Sequence, residues 1–565
     1  MRRAALTWVG LLVLLAGCVG VPTSGPVERH SQSAQPVDPG VEIAPVPPAQ
    51  GAPPALVVEG FLHAMATYQP NYAIARQFLT PQASESWQPE SMVEVYAGGF
   101  PPQVSGTTVV LTAPLVGQLD TAGSFSPVSR PFLHDFGLVR DSAGEWRISQ
   151  PPRGLLVSQT LFAGSWVRAE VSFWDVTGNV LVPDPRFVPR GAAAVQATAA
   201  AVLSGPSSGI QDAVRPSIEQ GPQVSAVTLS DNGVANVELT GELDGFDAQA
   251  RRGLAAELVW SLSSLESVTG LRVRGNGVPW ELGGTAGVVT TDDYAQASPD
   301  PANPSEQVFV VRDGAIERAN LATPDAEPQP LGLELARVTS ISGRLDGQAV
   351  AAITDGGTRV RSMPVRDPVA RVELSGTGLA MVRWTRQGEL LVGLDRSRGE
   401  RLRMVRDNAE VAVSAAGLPV GRIRSLAVAP DGVRVALVIE ENGERSLGTA
   451  AMVRSDQGIR FVGWQELSGA AWAPSTQPVL DVGWAGSVDL LVLLGGSAER
   501  VVVGVDSEGA MAAAVGPVDS QSATQLAVGS AGRAVLRGSD GQTWRFVDEF
   551  TWQPWVANVQ QVSLP

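Results

Sequence analysis

The sequence predicts a multidomain chain: a small N-terminal α+β domain, a central α+β module and a C-terminal all-β propeller, behind an export segment and a tether. Three observations lead there. At 565 residues the chain exceeds what one hydrophobic core supports, since domains usually span roughly 100–200 residues. Apolar residues recur at helical spacing only before residue 266, whereas 292–565 is a succession of short apolar runs separated by Asp-Gly, Gly-Gly and Ser-Gly turns. Within that stretch a Trp stands six residues before a Leu-Leu-Val run twice, at Trp384 and at Trp484.

Residues 1–17 have the three parts of a secretory signal. Arg2 and Arg3 are followed by an apolar run from Ala4 to Leu15, then by the small residues Ala16 and Gly17. Leu15-Ala16-Gly17-Cys18 is a lipobox arrangement, in which the Cys18 thiol takes a diacylglyceryl group and cleavage leaves Cys18 as the first mature residue. The apolar run is well short of the roughly 20 residues that span a bilayer, which argues against an uncleaved anchor helix. Arg2-Arg3 leaves a twin-Arg export route open, but the usual neighbours of that pair are absent and Sec export is favoured. Residues 18–54 are rich in Pro, Gly, Ser, Gln and Ala without apolar periodicity, and read as a disordered tether.

Composition narrows the function. The 57 Asp and Glu outnumber 41 basic residues, all of them Arg, for a formal charge of −16. Such a chain has no field with which to hold nucleic acid or anionic headgroups. Attachment to a bilayer must come from acyl chains, at about 0.8 kcal/mol per buried CH2 and with two or more chains for stable anchoring. The single Cys excludes disulfide frameworks and Cys-based zinc sites within the chain.

The first folded region, 55–152, opens on Pro53-Pro54 and a helix with Val57, Phe61, Ala64, Met65 and Tyr68 on one face. A short helix carrying Ile74, Phe78 and Leu79 follows, then Thr80-Pro81 as the N-cap and first residue of a third. Strands are predicted at 93–96, 107–115, 132–139 and 146–149, so the region reads as an NTF2-like α+β cone. His63 on the first helix and His134 in a strand are its candidate general bases, each more simply read as structural.

The second region, 155–287, begins with an alternating strand, Val167, Ala169, Val171 and Phe173 on one face. Residues 181–186 lead into an Ala-rich helix at 192–203, stopped by Gly205-Pro206. Strands at 224–229 and 234–239 flank Asp231-Asn232-Gly233, a hairpin signal. A helix at 247–265 carries Leu254, Leu258, Leu262 and Leu265, and a strand at 271–273 turns at Asn276-Gly277. Arg251-Arg252 on that helix is a candidate phosphate or carboxylate clamp, against the simpler reading of a solvated face.

The third region, 292–565, is predicted to be all strand. Residues 341–353, 425–439 and 525–537 each read as strand, tight turn, strand, and Trp384, Asp431, Trp484 and Gly532 are 47, 53 and 48 residues apart. Four-stranded propeller blades repeat at about 40–50 residues, so six or seven blades are expected, with a pair of β-sandwiches as the alternative.

Cys18 followed by Val21-Pro22-Thr23-Ser24-Gly25-Pro26, together with Trp87-Gln88-Pro89, resembles the LpqB family of actinobacterial lipoproteins. Residues 172–280, through Leu181-Val182-Pro183-Asp184-Pro185-Arg186, resemble the sporulation and germination (GerMN) module of those proteins. The Lys-free, Arg-rich composition agrees with such a source. The resemblance implies a lipoprotein on the outer face of the cell membrane that modulates a sensor histidine kinase of a two-component system, in envelope homeostasis and division. It brings no catalytic motif, and only Cys18 carries over as a functional residue.

Enzyme classes fare poorly against the counts. The three His all precede residue 135, so a propeller Ser-His-Asp triad or a His-ligated zinc lacks its imidazoles. No P-loop or Rossmann glycine signature is present, and no cofactor is expected. A glycosidase needs only two carboxylates, for which Asp346, Asp355, Asp395, Asp431 and Asp481 are candidates, three of them in Asp-Gly turns. The competing reading is a receptor for a partner ectodomain or a cell-wall ligand. Trp384, Trp464, Trp472, Trp484, Trp544, Trp552 and Trp555 are then candidate contact residues, or filling between blades.

Overall fold

The computed structural model describes residues 45–565 apart from 220, 303, 468–476, 496–499, 518–521 and 549–550. The lipobox, Cys18 and Trp472 lie outside the described residues.

Pro53 caps and Pro54 opens the first helix, Pro54–Ala66, which buries Val57, Val58, Phe61, Leu62 and Met65. Thr80 caps the short helix Pro81–Ser86, its hydroxyl accepting from the Ala83 amide at 3.3 Å. These helices cover a sheet in which Thr108–Leu119 is flanked by Val93–Tyr96 on one side and Phe125–Asp135 on the other. Phe61, Phe78, Trp87 and Phe136 form the aromatic centre, with Phe61 and Trp87 5.4 Å apart. The expected strand at 132–139 is two strands, because Asp135 accepts the Gly137 amide at 2.9 Å and turns the chain. Leu155–Ser158, past the expected end of this domain, joins the same sheet in parallel with Val93–Tyr96. The Trp87 indole fixes that crossover by donating to the Pro152 and Gly154 carbonyls at 3.2 and 3.0 Å.

In the central module Trp166–Asp175 pairs antiparallel with Leu181–Pro189. Residues 181–186, read from sequence as a lead-in to a helix, are therefore strand. Their two prolines are tolerated because the strand is at the edge of its sheet. The helix follows at Ala193–Ser204 and ends at Gly205. Gln223–Leu229 and Val234–Thr240 form the expected hairpin, and Gly270–Gly275 adds to the latter in parallel. The connecting helix, Ala248–Leu262, is capped by Asp247, which accepts the Ala250 amide at 2.8 Å.

Among the described residues the third region is a ring of six sheets, five of four strands and one of five, in which the short strand Val413–Ser414 adds in parallel to the outer edge of Gly458–Glu466. The innermost strands are Ser340–Gly343, Leu379–Trp384, Arg422–Val428, Val479–Trp484, Ala523–Val528 and Gln561–Ser563. The recurring sequence pairs are the first two strands of successive blades, Leu379–Trp384 with Leu390–Leu394 and Val479–Trp484 with Asp489–Gly495. The second strands run continuously apolar because both faces are buried. Leu390 and Val392 pack toward Ile353 and Val360, whereas Leu391 packs toward Leu426 and Leu437. The ring closes through its two ends: Gln561–Ser563 lies against Gln307–Arg312, with Val310 opposite Val562. Neighbouring blades grip this strand, the Gly343 amide donating to Ser563 Oγ and Gln525 to the Val562 carbonyl, each at 3.1 Å.

Closure by so short a strand makes it a sensitive point. Val562→Asp places an unpaired charge in the core between the first and last blades, and is expected to cost roughly 4 kcal/mol. Val278→Asp, at a position 65% exposed, is expected to leave the thermal midpoint unchanged. Calorimetry of the two variants checks this.

Candidate functional site at the junction of three domains

The strand Trp166–Asp175 turns Val171 and Phe173 into the central module's core and Arg168 and Glu170 the other way. Alternation alone assigns that polar face to water. In the structure the propeller covers it. Arg168 reaches Asp489 at 2.7 Å, Glu508 at 3.7 Å and Asp506 at 3.9 Å, with its side chain 16% exposed. Asp506 turns its own loop by accepting the Ala510 amide at 2.7 Å, and burial pushes its carboxyl up to about 6 despite Arg168. Burial, with Asp506 beside it, pushes Glu508 up to about 8. Its Oε1 accepts from the Ser507 hydroxyl, while Oε2 has no hydrogen-bond partner.

A second buried pair lies next to this cluster. Asp431 accepts the Val433 and Arg434 amides at 2.6 and 2.9 Å and pairs with Arg434 Nε at 2.8 Å. The Arg434 guanidinium lies over the Trp484 ring, 5.2 Å from its centroid, and donates to the Ser487 carbonyl. A third pair ties the central module to the first domain. Asp184 holds Arg186 at 2.7 Å and accepts the Ser207 amide and hydroxyl, and Arg186 also donates to Ser124 Oγ.

Between these pairs is a cavity of about 470 Å³ to which all three domains contribute, including Ser126, Pro185, Ser208, Trp464, Trp484 and Glu508. Gln465 spans it, donating to the Phe125 carbonyl of the first domain at 3.4 Å and to the Glu508 carbonyl at 3.0 Å. Gly463 permits the closest approach, since a Cβ there would stand 2.1 Å from the Gly209 carbonyl oxygen. The propeller channel is tighter, about 100 Å³, and is lined by Arg383, which donates to the Leu426 carbonyl of the next blade at 2.8 Å.

The sequence candidates are placed as follows. His63 sits on the packed first helix with Nδ1 unpartnered, and His134 Nε2 is 2.9 Å from the Gln150 carbonyl oxygen. Arg251 and Arg252 do not act as one clamp. Arg251 lies over the Trp280 ring, and Arg252 borders a separate cleft. Asp346 pairs with Arg344, Asp355 with Arg359 and Arg361, Asp395 with Arg422, and Asp431 with Arg434. Asp481 is buried in the channel wall and accepts from Ser425 and from the Leu526 and Val482 amides, and burial raises its pKa. Among the described residues no hydrogen bond or ion pair joins any two of these five carboxylates. Trp384 and Trp484 line the channel, and Trp464 lines the junction cavity. Trp544 and Trp552 fill the last inter-blade core, and Trp555 donates to the Pro324 carbonyl at 2.7 Å. Arg168, Asp489, Asp506 and Glu508 were not anticipated. Their only local signal is the charged outer face of an apolar strand.

Comparison with known proteins assigns the whole chain. Residues 47–163 match the family described as the lipoprotein LpqB N-terminal domain, 170–281 the sporulation and spore germination (Germane) family, and 320–557 the lipoprotein LpqB beta-propeller domain. Lipoprotein LpqB of Cutibacterium acnes is 30% identical over 588 residues, covering 100% of this chain and 99% of its own. This chain belongs to the LpqB lipoprotein family. The LpqB of Streptomyces coelicolor is 28% identical, with 96% of each chain covered. Among solved structures, TolB from Acinetobacter baumannii is matched at a TM-score of 0.35 with 11% identity, over 61% of this chain and 99% of that one. Among the described residues no helix is long and apolar enough to cross a membrane, and no group of three or more His, Cys, Asp or Glu is placed to hold a metal ion.

Two outcomes follow for this LpqB-family junction. Arg168→Ala leaves the buried Asp506 carboxylate without its counter-charge, and a stability loss of about 3–5 kcal/mol is expected in denaturant titration. Glu508 binds its proton more tightly folded than unfolded, so its contribution is full below about pH 4.5 and is lost as pH rises through about 8. Thermal midpoints are therefore expected to fall between pH 5 and 9, and Glu508→Gln to flatten that slope. Part of the slope will persist from Glu257, which burial likewise raises to about 8.

Proposed function

We propose that this chain is a non-catalytic lipoprotein, anchored through acylated Cys18 to the outer face of the cell membrane, that regulates a sensor histidine kinase by contact with its ectodomain. The observation that carries the reading is the family likeness along the full chain, in the order lipobox, N-terminal domain, Germane module and propeller. The buried arginine clamps support it. Two of them cross domain boundaries, Arg168 to Asp489 of the propeller and Arg186 to Ser124 of the first domain, and so link the three domains in one body. A regulator that is read by a partner needs that rigidity, whereas a tethered set of independent modules does not. The envelope-homeostasis and division role comes with the family resemblance.

Two measurements test the reading. Growth with labelled palmitate is expected to mark the wild-type chain, and Cys18→Ser to abolish both the label and sedimentation with membranes. The mature full-length chain in detergent is expected to bind the ectodomain of a sensor kinase from the same cell saturably and to change autophosphorylation of the intact kinase. Failure to bind and to alter kinase output overturns the proposal.

A further inference from the structure

A second concavity, about 640 Å³ in volume, opens on the central module away from the junction, and in this acidic chain its lining sets two arginines against two aspartates. It is bordered by Trp174, Arg215, Ser217, Arg252 and Tyr294. Arg215 and Arg252 are both exposed, and among the described residues neither has an ion pair or a side-chain hydrogen bond. The two aspartates of the lining keep their charge, but local hydrogen bonds fix where their carboxylates point. Asp247 caps its helix through the Ala250 amide, and Asp175 accepts the Asn179 and Val180 amides at 2.9 and 3.2 Å.

The arginines are positioned by one aromatic ring. Arg215 is the direct cross-strand partner of Trp174, and the Trp174 indole donates at 3.2 Å to the carbonyl of Gly253, next to Arg252. The half-buried Tyr294 adds a second ring, whose hydroxyl pKa is raised by burial and by the neighbouring Asp293 and is drawn back in part by Arg252. The floor beneath them is built rather than incidental. Glu257 is 1% exposed and accepts the Ser217 amide at 2.9 Å, which pins the segment carrying Arg215 to the helix carrying Arg252. Gly253 allows that approach, because a Cβ there would stand 2.4 Å from Ser217 Oγ. Two free guanidiniums, two rings and a preformed floor of this size fit a ligand with one oxyanion and one flat apolar face.

We propose that this cleft binds a sugar acid, with its carboxylate between Arg215 and Arg252 and a pyranose face against Trp174 or Tyr294. The site is separate from the junction cavity and is read without the kinase, so its failure and that of the regulatory proposal are distinguishable. The test is calorimetric titration of the mature full-length chain in detergent with N-acetylmuramic acid and glucuronic acid. N-acetylglucosamine, glucose and inorganic phosphate serve as comparisons. The acids are expected to bind at least about tenfold more tightly than their neutral counterparts and than phosphate. Arg215→Gln with Arg252→Gln is expected to remove that preference at an unchanged melting temperature, and the corresponding Lys pair to restore part of it. Equal binding of acid and neutral sugar overturns the proposal. So does phosphate binding as tightly as the acids, a double Gln variant that behaves as wild type, or the absence of binding by both acids.

Discussion

One buried guanidinium orients the contact between the central module and the propeller, beside Val433, Ala451 and Val453, which pack into the module's core. Arg168 leaves water to sit among Asp489, Asp506 and Glu508, and removing any such ion from water costs several kcal/mol. Three ionised carboxylates around one cation would leave two negative charges in excess. Burial reduces that excess by pushing both buried carboxyls up, Glu508 further than Asp506, so that Glu508 is the one of the three that favours its protonated form. Such a cluster contributes little net stability relative to well-packed apolar residues, but it has few satisfactory geometries. It fixes orientation. The pairs Asp184–Arg186 and Asp431–Arg434 are likewise buried, and Asp184, Arg434 and Glu508 line the junction cavity.

The propeller is held by a different principle. Its six inter-blade cores are apolar, each built from second strands that send alternate residues to opposite neighbours, as Leu490 and Val492 do toward one blade and Leu491 and Leu493 toward the next. No blade buries its faces alone, so stability belongs to the closed ring. Closure waits for the last residues of the chain, where Gln561–Ser563 enters the sheet begun by Gln307–Arg312. Contacts at that sequence separation are slow to form, and they make the ring's stability depend on residues far from its centre of sequence.

Local elements were largely legible. Pro54 opening a helix, Thr80 and Asp247 as caps, and Asp231-Asn232-Gly233 as a hairpin all follow from chemistry within four residues of the position concerned. The blades were legible because both faces of their second strands are apolar and recur at a fixed interval. Six rather than seven blades was not, because the first sheet draws on both ends of the domain. Leu155–Ser158 was placed in the wrong domain for a similar reason: its partner, Val93–Tyr96, is some sixty residues earlier. The strand Leu181–Pro189 was masked by Pro183 and Pro185, which only an edge position accommodates.

The sequence by itself determined the order of modules, the family likeness, the lipobox at Cys18 and which face of each element is apolar, since these depend on composition and on residues a few positions apart. Tertiary structure decided what the polar faces do. Arg168 on one strand and Glu508 in a distant turn carry no mark that sets them apart from solvated charges, and neither do Arg215 and Arg252. Periodicity reports which side of a strand avoids water, but not whether another domain lies across the side that tolerates it. Coulombic partners hundreds of residues apart meet only once the chain has folded, and that meeting made a clamp of the first pair while leaving the second pair free.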